Sequence, residues 1–199
     1  MKLAGFVPLS LCDYPGHIAA VVFTQGCNFR CPWCHNRHLL AAASSTVAAV
    51  DQAEVLQVLH ERRQRVNSLV ISGGEPTLQE GLEGFVARIK AMRIKVKLDT
   101  NGSRPAILQR LLTADLLDFV ALDIKAPWQL YGRLIGLPAW DPTPVKESLA
   151  LLSAFQVPHL LRTTRVPDLL SAAECKQIKQ QLPPGSVHVW QEYRACAAL

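Results

Sequence analysis

The chain has no apolar run long enough to span a membrane. Its longest weakly polar stretch, residues 39–50, is interrupted by Ser44, Ser45 and Thr46, whereas a spanning helix needs about 20 apolar residues. The first residues, Met1 to Gly5, lack the apolar core of a signal peptide, and a cytoplasmic protein is expected, with no membrane partner. No run of five like charges occurs. The net charge of +5 is spread out, with local groups at Arg62, Arg63 and Arg65 and from Arg88 to Lys97. No aromatic-basic module accompanies these residues, so nucleic acid is not an expected partner. A basic face suits an acidic protein instead. No G-x-G-x-x-G motif opens a helix, which disfavours a dinucleotide fold. No internal repeat and no linker divide the 199 residues, and one domain over 1–199 is expected.

A disulfide framework is also missing. Six cysteines in a chain of this length are too sparse for a secreted scaffold. Cys12, Cys175 and Cys196 are scattered and read as bland thiols. The other three are not scattered. Cys27, Cys31 and Cys34 fall within eight residues, directly after the β-branched run at 19–24. A strand there would hold one end of the loop, and three thiolates at this spacing can converge on one inorganic centre.

From that loop onward the pattern alternates. Residues 1–18 read as an irregular lead-in, with a turn signal at Asp13-Tyr14-Pro15-Gly16. Residues 41–49 are rich in small residues and give no clear element. Helices are expected over 51–66, 78–92, 105–114, 145–155 and 171–182, and strands over 19–24, 68–72, 94–99, 117–124, 159–166 and 187–193. Residues 128–144 read as a long loop. Six strands separated by helices imply a parallel sheet with right-handed crossovers. The count is too low for a closed eight-unit barrel. The expected fold is α/β, a partial, open (βα)6 barrel of the TIM type, with the cysteine loop after the first strand of that series. In such barrels chemistry gathers at the C-terminal strand ends.

Each expected strand ends on a distinctive group: the cysteine loop, Gly73-Gly74-Glu75, Asp99-Thr100-Asn101, Asp123-Ile124-Lys125, the Arg162–Arg165 segment, and Gln191 to Arg194. Polar strand ends are ordinary singly. Six in succession beside a thiol cluster are less so. A 4Fe–4S cube usually takes four thiolates. A compact loop with three would leave one iron open to a substrate or cofactor. The alternative is zinc, with His35 completing a Cys3His site in an interaction module.

Cys-x-x-x-Cys-x-x-Cys after a first strand, Trp33 before the last cysteine and Gly73-Gly74-Glu75 after the second strand resemble the radical S-adenosylmethionine superfamily. Cys34-His35-Asn36, Asp99-Thr100-Asn101 and Asp123-Ile124-Lys125 are similar to the glycyl-radical-enzyme activases. The Leu11-x-Asp13-Tyr14-Pro15-Gly16 segment and the compact length most resemble activating proteins of anaerobic ribonucleoside-triphosphate reductase, and less closely those of pyruvate formate-lyase.

The resemblance implies one 4Fe–4S cluster on Cys27, Cys31 and Cys34, whose open iron is chelated by the methionyl group of S-adenosylmethionine. Reductive cleavage would give a 5′-deoxyadenosyl radical that takes hydrogen from a glycine of a partner glycyl-radical enzyme, with electrons from flavodoxin or ferredoxin. It further implies the Gly73 and Gly74 backbone near the methionyl amino group, Glu75 neutralising or anchoring nearby polar groups, Trp33 and the backbone at His35 bordering the adenine, and a monovalent cation beside Asp99 and Asn101. Lys125 is expected at the cofactor carboxylate, Asp123 at ribose hydroxyls or the backbone, and Arg162 and Arg194 at the carboxylate or the partner's backbone. A small-molecule radical enzyme such as a 7-carboxy-7-deazaguanine synthase is the rival within the superfamily.

Overall fold

A computed structural model describes residues 1–40 and 48–194. Most of the small-residue stretch at 41–49, together with Cys196, lies outside the described residues. The strands are β1 (Leu3–Ser10), β2 (Ala19–Thr24), β3 (Ser68–Gly73), β4 (Lys95–Thr100), β5 (Phe119–Asp123), β6 (His159–Arg165) and β7 (His188–Glu192). The helices are α1 (Gln52–Arg62), α2 (Leu82–Ala91), α3 (Pro105–Thr113), α4 (Tyr131–Leu134), α5 (Thr143–Ala154) and α6 (Ala172–Gln181). They build one sheet in the order β1-β2-β3-β4-β5-β6-β7. From β2 to β7 every neighbouring pair is parallel. The two outer strands, β1 and β7, do not pair, so the barrel stays open, as expected.

The lead-in departs from expectation. It forms β1, which pairs antiparallel with β2 along the edge. Its sequence hides the strand because burial does not alternate cleanly, Pro8 interrupts it, and the register shifts twice. Proline and bulges are both tolerated at sheet edges. The turn after β1 is also displaced by one residue. His17 N–H donates to Tyr14 O at 3.1 Å, so Pro15 is second and Gly16, at φ 75°, is third. That is the pattern of a type II turn.

Two-residue periodicity sorts each strand between two environments. Leu69 and Ile71, Val96 and Leu98, Val120 and Leu122, and Leu161 belong to the main core, together with helix residues such as Val55, Phe85, Ile89, Leu108, Leu149 and Ile178. The alternate residues face the concave side. At its N-terminal end Tyr14 is buried against Ala19, Val21, Val70 and Phe119. Burial there pushes the Tyr14 phenol up to about 12. At its C-terminal end the same face carries Ser72, Asp99, Asp123, Arg162, Thr164 and Gln191, which line one cavity.

Two other boundaries differ from the sequence pattern. The helix expected from residue 78 begins at Leu82, because Pro76–Leu78 forms a separate 3-10 turn and Gly81 adopts φ 78°. The long loop holds a 3-10 turn at Trp128–Leu130 and the short helix α4.

The end of β3 meets the start of the cysteine loop at unusually close range. Gly73 has φ 110°, and a Cβ there would lie 2.3 Å from Thr24 N. A Cβ on Gly74 would lie 2.1 Å from Gly26 O. The glycines are therefore required by the protein's own backbone. In contrast, Gly84 in α2 has open space where a Cβ would go. Gly74→Ala should destabilise by more than about 2 kcal/mol, whereas Gly84→Ala should stabilise by roughly 0.5–1 kcal/mol through helix propensity. Urea unfolding of both variants checks the contrast.

Candidate active site

The cysteine loop is held from three sides. Its entry is tied to its exit by Gly26 N–H to Leu39 O (2.7 Å) and Cys27 N–H to Leu40 O (3.3 Å). Its base is tied to β3 by Gly74 N–H to Thr24 O and Glu75 N–H to Gly26 O, both 2.8 Å. Its crown is anchored by Phe29, which is 1% exposed and meets Trp140 edge-on at 4.9 Å and Tyr131 at 6.5 Å. Arg30 N–H also donates to Ile135 O at 2.9 Å. The segment between β5 and α5 thus serves as a seat for the loop.

Cys27, Cys31 and Cys34 all open on one cavity of about 420 Å³. None is in a disulfide. This volume lies within the usual range for a small-molecule site. Soft thiolates suit iron–sulfur chemistry, and each binds its own corner of a cube rather than one shared ion. Among the described residues no three His, Cys, Asp or Glu side chains surround a single ion position. Three thiols from one loop on one cavity form a donor set that fits an iron–sulfur cluster. Burial pushes the Cys27 thiol up to about 11, and raises Cys31 although Lys125 opposes it.

Glu75 lies under the loop with no exposed surface. Its Oε1 accepts from Thr77 N–H (3.0 Å), Thr77 Oγ1 (2.5 Å) and Thr100 Oγ1 (2.7 Å), and its Oε2 accepts from Asn101 N–H (2.7 Å). Burial pushes its carboxyl above the ordinary range, and the four donors act against that shift. Glu75 thus joins the ends of β3 and β4. Asn101 extends the link, donating to Asn28 Oδ1 at 3.0 Å and accepting from Ser103 N–H at 2.9 Å.

Beyond this brace runs a row of charge across β4, β5 and β6. Lys97, 2% exposed, pairs with Asp99. Arg162 Nη1 meets Asp99 Oδ2 at 3.0 Å and its Nε meets Asp123 Oδ1 at 2.9 Å. Lys125 Nζ meets Asp123 Oδ2 at 3.2 Å. Burial opposes the charge on Asp123, but Arg162 and Lys125 outweigh it and hold its pKa below the ordinary value. Burial also opposes the charges on Lys125 and Arg162, and their carboxylate partners raise both overall.

The cavity wall includes every residue expected from the sequence to hold the cluster or cofactor except Arg194. Arg194 is exposed just beyond β7. Trp33 is buried within the wall, whereas His35 is exposed, its ring 5.7 Å from that of Tyr193. Lys97 and Ser72 are not among the site residues expected from the sequence, and Asp13, which the sequence places only in a turn and motif, also lines the cavity. Strand alternation could have found Lys97, since it shares a face with Asp99. Ser72 faces the same way and donates to Asp99 at 3.2 Å.

Two variants test this electrostatic frame. Glu75→Gln should destabilise by about 1–3 kcal/mol, because all four partners donate and one must then face an amide NH2. Thermal melting measures the loss. The contribution of Asp123 is complete above its unfolded pKa of about 4 and is lost as pH falls through its lower folded value. The stability gap between the parent protein and Asp123→Asn should hold steady above about pH 5 and narrow below pH 4, as read by denaturant titration.

Comparison with known proteins agrees with the geometry. The sequence profile of the radical SAM superfamily matches residues 21–169. A protein of Methanocaldococcus jannaschii named as a glycyl-radical enzyme activating enzyme is 28% identical over 195 residues, covering 96% of this chain and 79% of that one. The pyruvate formate-lyase 1-activating enzyme of Escherichia coli is 31% identical over 143 residues, 68% of this chain and 57% of that enzyme. The AdoMet-bound structure of anSMEcpe superposes with a TM-score of 0.63 at 19% identity, covering 85% of this chain and 49% of the other. With the family profile spanning both the cysteine loop and the charged strand ends, the chain belongs to the radical SAM superfamily.

Proposed function

We propose that this protein is a glycyl-radical-enzyme activase. The observation that carries the reading is the convergence of three thiols from one loop on a cavity whose far wall is a polar, charged strand edge. When bound, a 4Fe–4S cluster and S-adenosylmethionine would supply the radical chemistry that removes hydrogen from a glycine of a partner enzyme. Cys27, Cys31 and Cys34 would hold the cluster, with the methionyl group of the cofactor as its remaining ligand. The backbone at Gly73 and Gly74 borders that group, and Glu75 fixes the backbone from below. Lys125 is the cation for the methionyl carboxylate. Asp123, Trp33 and the main chain at His35 serve the ribose and adenine, with Trp33 supplying an aromatic surface already fixed by packing.

A protein substrate suits an open barrel, because a glycine-bearing loop needs an entrance. Similarity to two activating enzymes supports this substrate class. The motif around Asp13 favours anaerobic ribonucleoside-triphosphate reductase as the partner. Flavodoxin or ferredoxin, both acidic proteins, suits the net charge of +5 as electron donor. Arg194, exposed beyond the cavity wall, is better placed for the partner's backbone than for the cofactor.

Anaerobic reconstitution should load about four irons and four sulfides per chain, the content of one cube. The loaded protein, given S-adenosylmethionine and dithionite, should release 5′-deoxyadenosine, and Cys31→Ala should abolish that release. One zinc and no iron, or a loaded cluster that yields no 5′-deoxyadenosine with or without partner, would sink the reading. Deuterium transfer from an α-deuterated glycine of the reductase into 5′-deoxyadenosine tests the partner assignment. Transfer only from another glycyl-radical enzyme would redirect that assignment while leaving the activase intact.

A further inference from the structure

The resemblance implies an inorganic monovalent cation beside Asp99, but the side chains here are already committed to other partners. Asp99 and Asp123 present four carboxylate oxygens. Asp99 Oδ1 is paired with Lys97 and Oδ2 with Arg162. Asp123 Oδ1 is paired with Arg162 and Oδ2 with Lys125. Ser72 Oγ also donates to Asp99 Oδ2. Each of these four anionic oxygens therefore already receives a cationic N–H donor.

Arg162 occupies the decisive position. It extends from β6, paired in register with Asp123 of β5, and one guanidinium bridges both carboxylates. Arginine suits this role because its fork of donors stays charged and planar. Its side chain is 17% exposed and that of Lys97 3%. An inorganic cation at the two carboxylates would have to share them with Lys97, Arg162 and Lys125 at close range, or displace one of these groups. The displaced charge would then be left largely buried, without its partner and beside another cation, which is strongly unfavourable. Three fixed cations against two fixed anions leave the row one positive charge in excess, so its unmet need is for an anion.

We infer that Arg162 and Lys97 are built-in counter-ions, and that the methionyl end of the cofactor binds here without an inorganic monovalent cation. The methionyl part of this inference rests on the cofactor placement proposed above; the absence of a sodium or potassium site does not. Arg162 is a positioning residue in this arrangement. It holds Asp99 and Asp123 in place, leaving Lys125 as the accessible end of the row.

Two measurements separate the ideas. The first uses the protein without cofactor. The sodium NMR linewidth, titrated with potassium, should show no saturable site on the parent protein, whereas Arg162→Gln should create one by exposing the two aspartates. Saturable, potassium-displaceable sodium binding by the parent that disappears in Asp99→Asn would overturn the inference. Should Arg162→Gln fail to fold, Lys97→Met provides the second variant, and the result for the parent protein is decisive by itself. The second measurement is the Kd of S-adenosylmethionine on the reconstituted protein in potassium, sodium or tetramethylammonium chloride at equal ionic strength. It should agree within about two-fold across the three salts, and a loss of ten-fold or more in tetramethylammonium would contradict the inference. Absence of cofactor binding in every salt would instead refute the cofactor placement, with the sodium measurement still deciding the cation question.

Discussion

A carboxylate with no exposed surface sits between the ends of β3 and β4, and the geometry of the site depends on it. Glu75 accepts from Thr77, Thr100 and the Asn101 backbone, while its own N–H donates to Gly26 O. One residue thereby joins two strand ends to the base of the cysteine loop. Burying a carboxylate is unfavourable unless its oxygens are satisfied, and four donors meet that condition. The neighbouring glycines are part of the same constraint. Only residues without a Cβ allow Gly26 and the Gly73-Gly74 backbone to approach closely enough for these bonds. The cysteine loop is thus fixed to the sheet by packing and hydrogen bonds of the protein itself.

The concave face makes a second use of strand periodicity. Residues two apart on β4 give Lys97 and Asp99, and residues two apart across the end of β5 give Asp123 and Lys125. Arg162 enters from β6 and joins the two pairs. Coulombic attraction in a sheltered setting favours the charged forms of Asp123, Lys125 and Arg162, and the order of the five groups along the row alternates in sign. The arrangement places rigid charge near the thiols without placing an unpaired charge in the core. It also explains why a face this polar can lie over a sheet whose other side is almost wholly apolar.

Much of this was legible in the sequence because it rests on local rules. The βα alternation, the cysteine spacing and the special residues at strand ends follow from period and residue type, and they locate the cavity correctly. Strand β1 was not legible, because an irregular edge strand with an internal proline leaves no alternating pattern. The task of Gly73 and Gly74 was only partly legible: their lack of a Cβ pointed to close approach, but the sequence does not show that the approaching group is the backbone of Thr24 and Gly26. The seat for Phe29 depends on Tyr131 and Trp140, more than a hundred residues away, and no local pattern reveals such a contact. The bond from Arg162 to Asp99 is likewise a product of sheet order, since β5 lies between their strands.

A four-iron cube held by three thiolates would keep one iron open, and that iron would be the seat of the cofactor. The most direct measurement is electron–nuclear double resonance on the reduced cluster, with S-adenosylmethionine labelled by isotope at the methionyl nitrogen and carboxylate. Direct ligation predicts hyperfine couplings from both labelled groups, and their loss when the cofactor is left out. A fully loaded, cofactor-bound cluster with no coupling from either label would contradict the account.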